Sequence, residues 1–174
     1  MRTNYFSIVY AVEQLAPILR PSSALKRNGK PKHKAAIVNV SSCAALCCVV
    51  GTGAYSASKS AVKSYTEALQ MEEKGKKYVG VIYPGTTATE LFDGDENTKD
   101  SALNVIAMPA KKMAKKIARK IIRKRKRAVL GWDAKLMTFT TKIMPVKGLA
   151  LIRGVMKLSG SKVFDNVFDR KKGK

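Results

Sequence analysis

The stretch Asn39–Lys59, NVSSCAALCCVVGTGAYSASK, constrains the fold more than any other part of the chain. An apolar run (Ala35, Ala36, Ile37, Val38 and Val40) leads into it, with the length and composition of a buried strand. This strand ends on Ser41 and Ser42, a loop of small residues follows, and order resumes at Tyr55 with Lys59 one helical turn on. Residues four apart share a helix face, so the spacing predicts a phenol and an ammonium directed into one pocket. A cation held close favours the ionised form of a phenol, which suits that phenol to give or take a proton near neutral pH. A serine hydroxyl at the strand's end is placed to hydrogen-bond a carbonyl or alcohol oxygen beside the tyrosine. The stretch therefore reads as a site for moving a proton on and off a substrate oxygen.

The strand, the double serine, the thirteen positions from Ser42 to Tyr55 and then YSASK together resemble the active-site signature of the short-chain dehydrogenase/reductase family. The resemblance implies that Tyr55 donates the proton to a ketone oxygen during reduction and that Ser42 positions that oxygen. It further implies that Lys59 favours the phenolate and holds the nicotinamide ribose, with the hydride coming from NADH or NADPH. Asn4, in TNYFS, matches the family's Asn-x-x-Gly element, with Ser7 where glycine is usual, and would support a proton relay through water. A polar residue at a helix N-terminus explains Asn4 equally well. After a short buried-type strand, Val79 to Tyr83, the sequence YPGTTATEL resembles the Pro-Gly-x-x-x-Thr element that contacts the nicotinamide carboxamide. That element maps onto Pro84, Gly85, Thr87 and Thr89. The phrase EALQME (Glu67 to Glu72), ahead of VIYPG, is similar to lipid-directed members such as 3-ketosphinganine reductases.

The resemblance implies an α/β fold, a three-layer Rossmann-type parallel sheet, but one that is N-terminally truncated. The family's first half carries a Gly-rich turn, Thr-Gly-x-x-x-Gly-x-Gly, before a helix that faces the pyrophosphate, and later an Asn-Asn-Ala-Gly element. Neither is found before Asn4. About three strands are expected, with the serine strand left as an open edge and with weak or absent NAD(P)H binding by the chain alone. Residues 1–104 would form the catalytic half, and residues 105–174 a basic helix, the last strand and a helical C-terminal extension.

Periodicity supplies the remaining elements. Thr3 to Leu19 carries a broad apolar stripe and stops before Pro21. Ser22 to Lys34 is a polar, basic surface loop. Ala54 to Glu73 is the second helix, and the helices beginning at Thr3 and Ala54 match those through which family members form dimers. Glu90 to Asp100 holds five of the twelve acids and reads as a solvated loop or, by the resemblance, as part of a substrate lid. Ala110 to Ile122 is helical, Arg127 to Gly131 is a strand, and Asp133 is a suitable N-cap for a helix from Ala134 to Ile143. Pro145 interrupts, Gly148 to Leu158 is a further amphipathic segment, Phe164 and Val167 are placed to pack back, and Arg170 to Lys174 is a basic tail.

Charge raises a second class of function. The chain carries 34 Lys plus Arg against 12 Asp plus Glu, a net charge of +22, and eleven of the seventeen residues from Lys111 to Arg127 are basic. Such a balance attracts polyanions. An anionic membrane surface fits a basic helix with an apolar stripe, and a solvated helix face is the plainer explanation. Nucleic acid is disfavoured because no aromatic residue interleaves the basic run. The alternative to an enzyme is thus a catalytically silent fragment with a binding or structural role. Three cysteines (Cys43, Cys47 and Cys48) and one histidine (His33) argue against a zinc site and for buried, reduced thiols in a cytoplasmic protein. Neither a signal peptide nor an apolar run long enough to span a bilayer is visible, so a soluble or peripheral protein is expected.

Overall fold

The computed structural model describes residues 1–19, 28–29, 35–74, 76–88 and 107–158. At its centre is a parallel sheet of three strands in the order β1-β2-β5: β1 (Ala36–Val40), β2 (Tyr78–Pro84) and β5 (Arg127–Leu130). In register, Ile37 lies beside Val79 and Val40 beside Ile82, while Val81 lies beside Arg127 and Pro84 beside Leu130. A second, short parallel pair joins β3 (Thr87–Ala88) to β4 (Met108–Pro109). The described α-helices are α1 (Ser7–Leu15), α2 (Gly53–Glu72), α3 (Ala110–Ile122), α4 (Trp132–Ile143) and α5 (Pro145–Leu158).

The sequence of β2, YVGVIYP, is apolar almost throughout because a central parallel strand is buried on both faces. Alternate residues divide the core in two. Ile37 and Val79 pack with Val12 of α1 and Leu69 of α2, whereas Ile82, Ala128 and Leu130 pack with Met113 of α3. Helices therefore cover both faces, which gives the three layers. Each large apolar side chain buried this way contributes roughly 1.5–3 kcal/mol. Among the described residues β1 is an edge strand, and a groove of about 320 Å³ runs beside it, lined by Ile8, Val12, Leu15 and Ile37.

Several boundaries differ from the sequence expectation. The first helix is a π-helical turn, Arg2–Phe6, running into α1, which stops at Leu15. Only Val12 of its stripe is buried, and Leu15 and Ile18 are exposed, because α1 meets the sheet only along the edge strand. Pro145 breaks the helical run, which ends at Ile143 with Met144 non-helical, and itself opens α5 ahead of the expected Gly148, a position where its fixed φ and missing N–H cost nothing. The fourth helix begins at Trp132, so Asp133 lies inside its first turn and Gly131 stands at the N-cap. Cys43 and Cys47 are buried as expected, but Cys48 is exposed. Pro21, Thr89, the acidic segment Glu90–Asp100, Phe164, Val167, the tail from Arg170 and the 104/105 boundary lie outside the described residues, as does all of the Ser22–Lys34 loop except Asn28 and Gly29. No described helix is long and apolar enough to cross a membrane.

One buried polar contact ties β1 to α2. Asn39 donates through Nδ2 to Thr66 Oγ1 at 2.9 Å, and the threonine hydroxyl donates in turn to the Val62 carbonyl at 2.6 Å. Thr66→Val keeps the shape but strands the Asn39 amide, a cost of roughly 1–3 kcal/mol. Urea denaturation should show that loss, and the double variant Asn39→Val/Thr66→Val should recover much of it.

Candidate active site

Because the three strands are parallel, their carboxyl ends lie on one side of the sheet, the side on which open α/β sheets bind ligands. β1 delivers the serines there. Ser41 donates its N–H to the Ile82 carbonyl at 2.8 Å and its hydroxyl to the Lys59 carbonyl at 2.9 Å. Ser42 is extended (φ −156°, ψ 159°) and starts a 3₁₀ turn, Cys43–Ala45, its Oγ accepting the Ala44 N–H at 3.2 Å. At the far end of that turn, Ser60 donates its hydroxyl to the Ala45 carbonyl at 3.3 Å. The serine turn is thus strapped to α2 on both sides of Ser42.

Tyr55 stands in the first turn of α2 with its side chain half out in solvent, and Lys59 Nζ lies over its ring, 5.7 Å from the centroid. Burial lowers the pKa of Lys59 from the ordinary lysine value. Asn4 reaches the same turn: its Nδ2 donates to Ser58 Oγ at 3.2 Å, and that hydroxyl donates to the Tyr55 carbonyl at 2.7 Å. Tyr55 and Lys59 are therefore in direct contact, Asn4 grips the residue preceding the lysine, and Ser42 is held against the same helix.

β2 delivers Pro84 and Gly85. Gly85 donates its N–H to the Leu130 carbonyl at 2.7 Å, and Thr87 turns its hydroxyl back onto the Gly85 carbonyl at 3.0 Å. The next amide, of Thr86, donates to Asp133 Oδ2 at 2.6 Å. Asp133 is buried, and a Cβ on either Gly85 or Gly131 would collide with its carboxylate. Gly131 also has φ +109°, which disfavours any other residue. Sequence reasoning assigned Asp133 to a cap and missed this clasp. Its only local trace is a glycine directly behind each of two strands.

Neighbouring groups are quieter chemically. Burial, reinforced by the charge of Asp133, pushes the Cys43 thiol up to about 11, against a hydrogen bond with Ser42 that lowers it. It stays a thiol, and a thiol is a poor nucleophile. The Tyr83 hydroxyl is buried without a partner among the described residues and is pushed up to about 12 by burial, with Arg127 over its ring at 5.4 Å acting in opposition. No group of His, Cys, Asp and Glu suited to a metal ion occurs among the described residues.

Comparison with known proteins bears on the family and the fold. The family model described as short chain dehydrogenase matches residues 1–100. A 3-ketodihydrosphingosine reductase of Bos taurus is 36% identical over 108 residues, covering 62% of this chain and 30% of that protein. A 3-dehydrosphinganine reductase of Danio rerio is 35% identical over 108 residues, again 62% of this chain and 30% of that protein. The chain thus spans about 30% of the length of these curated relatives. Among solved structures, a short chain dehydrogenase of Burkholderia cenocepacia in complex with NADP superposes with a TM-score of 0.66 at 18% identity, covering 86% of this chain and 55% of that one. A short-chain dehydrogenase of Streptomyces avermitilis gives 0.61 at 21% identity, with coverages of 88% and 59%. At these identities the superpositions establish the shared fold.

The Asp133 clasp is open to a direct test by thermodynamic cycle. Gly85→Ala should cost roughly 1–3 kcal/mol through overpacking. The same change in an Asp133→Ala background should cost clearly less, with a coupling of roughly 0.5–3 kcal/mol. Additive losses in chemical denaturation would show that the two residues do not press on each other.

Proposed function

The chain belongs to the short chain dehydrogenase family, and on that footing we propose that it carries the proton-transfer site of an NAD(P)-dependent oxidoreductase that interconverts a long-chain ketone and its alcohol. The contact that carries this reading is the Lys59 ammonium over the Tyr55 ring at the carboxyl end of the sheet. Tyr55 is exposed enough to meet a substrate, and it gives its hydroxyl proton to the ketone oxygen. Lys59 stabilises the phenolate left behind. The Ser42 Oγ accepts a backbone N–H, which leaves its hydroxyl to act as a donor, turning from the Cys43 sulfur to the ketone oxygen. Asn4 acts through Ser58, keeping the helical turn that carries Lys59 in place. Its side-chain carbonyl remains available to a relay water.

Reduction adds a hydride to carbon and a proton to oxygen, and a bound reduced nicotinamide supplies the hydride. The residues at the end of β2 fit the carboxamide of that group in part. The Gly85 and Thr86 amides are committed to Leu130 and Asp133, which leaves Thr87, with free lone pairs on Oγ1, as the partner for the carboxamide among the described residues, Thr89 lying outside them. With those two amides already taken, these residues by themselves hold the cofactor weakly. The identity with reductases of 3-ketodihydrosphingosine supports a sphingoid-like ketone as substrate class. Tyr10, Leu15 and Met71, exposed on α1 and α2, support pairing of two copies through those helices.

With millimolar NADPH present, the chain should reduce 3-ketodihydrosphingosine slowly, and Tyr55→Phe should lower that rate by roughly 10²–10⁴-fold with the fold intact. Turnover that survives the substitution would overturn the assignment of Tyr55. Fluorescence titration with NADPH and NADH checks the cofactor claim separately. Saturable binding in the micromolar range would refute weak binding.

A further inference from the structure

On the edge of the sheet away from β1, α3 and β5 enclose a cleft of about 600 Å³ whose lining includes Lys116, Arg119, Lys120, Arg123, Arg125 and Lys135. None of these six forms an ion pair with a carboxylate among the described residues. Arg127, also in the lining, is held over the Tyr83 ring. Lys116 with Lys120 and Arg119 with Arg123 are like charges one helical turn apart, an arrangement that destabilises a helix unless an anion sits between them.

Beside the cleft, α4 turns an apolar stripe outward. Trp132, Leu136, Phe139 and Ile143 are 59%, 56%, 63% and 60% exposed, and their steps of four, three and four residues put them on one face. The buried residues of the same helix, Asp133 and Ala134, point away from that stripe. Trp132 belongs to both features, as the first residue of the stripe and as part of the cleft wall. Cations and exposed large apolar groups therefore form one continuous surface.

We infer that this surface docks the protein on an anionic lipid bilayer, with phosphate head groups entering the α3–β5 cleft and the α4 stripe seated at the head-group/acyl boundary. A bilayer presents fixed anions and an apolar layer in one plane. A nucleic-acid duplex offers the phosphates without the apolar layer. A second copy of the chain offers apolar surface but brings a like charge of +22. The docking requires neither cofactor nor turnover.

Trp132 is the sole tryptophan, so intrinsic fluorescence reports on the stripe without a label. The full chain should co-sediment with phosphatidylglycerol-containing vesicles, its emission should shift to the blue, and brominated acyl chains should quench it. Pure phosphatidylcholine vesicles should produce none of these effects. The exposed-site variant Arg119→Gln/Arg123→Gln should weaken partitioning by roughly thirtyfold, about fivefold per cation. Leu136→Ser/Phe139→Ser should lose the quenching, with circular dichroism confirming that both variants fold. Three results would each overturn the inference: no vesicle binding, binding with unmoved emission, or emission already blue-shifted without lipid in a particle of twice the mass. Duplex DNA that binds and displaces the vesicles with no change at Trp132 would assign the cleft to nucleic acid instead.

Discussion

Parallel pairing of β1, β2 and β5 governs the rest of the structure. A parallel neighbour cannot be reached by a tight turn, so each connection must travel back across a face of the sheet. The return segments are α2 and α3, and they fall on opposite faces, as their separate core clusters show. The turns that leave the strands then have no choice of side. The serines, the Pro84–Gly85 turn and the Gly131–Asp133 turn all open at the same end. Proximity of the chemically useful groups follows from strand direction before any side chain is chosen.

Within that frame, polar contacts set the finer placement. The hydroxyl of Ser41 reaches a helix carbonyl, Ser60 reaches back to the serine turn, and Asp133 receives an amide from the loop behind β2. Each joins segments distant in sequence at a position where apolar packing alone would leave sliding room. Hydrogen bonds that escape water are stronger than exposed ones, and costly when broken. They act here less as a reserve of stability than as stops that fix how α2 and α4 sit against the strand tips.

Much of this was legible in the sequence. The three strands of the main sheet were visible as apolar runs, whereas the two-residue pair β3–β4 leaves no such pattern. Tyr55 and Lys59 were legible because helix periodicity alone brings them together, and α3 was delimited correctly from its stripe of Met113, Ile117 and Ile121. What escaped were contacts between distant segments. Nothing near Asp133 announces that its partner is the Thr86 amide, so a local rule cast it as a cap. The break at Pro145 was legible, whereas the start of α5 at the proline itself and not at Gly148 depends on the geometry after Ile143. The exposure of Cys48 beside two buried cysteines depends on how the small-residue loop turns, which composition does not encode.

The three-way fit of Gly85, Asp133 and Gly131 has a historical corollary. A side chain at either glycine becomes tolerable only after the carboxylate has gone, and the carboxylate could have settled there only once both neighbours lacked a Cβ. Substitutions at these positions therefore cost less in one order than in the other. The three positions are thus coupled as a group, whether or not any of its members ever touches a substrate.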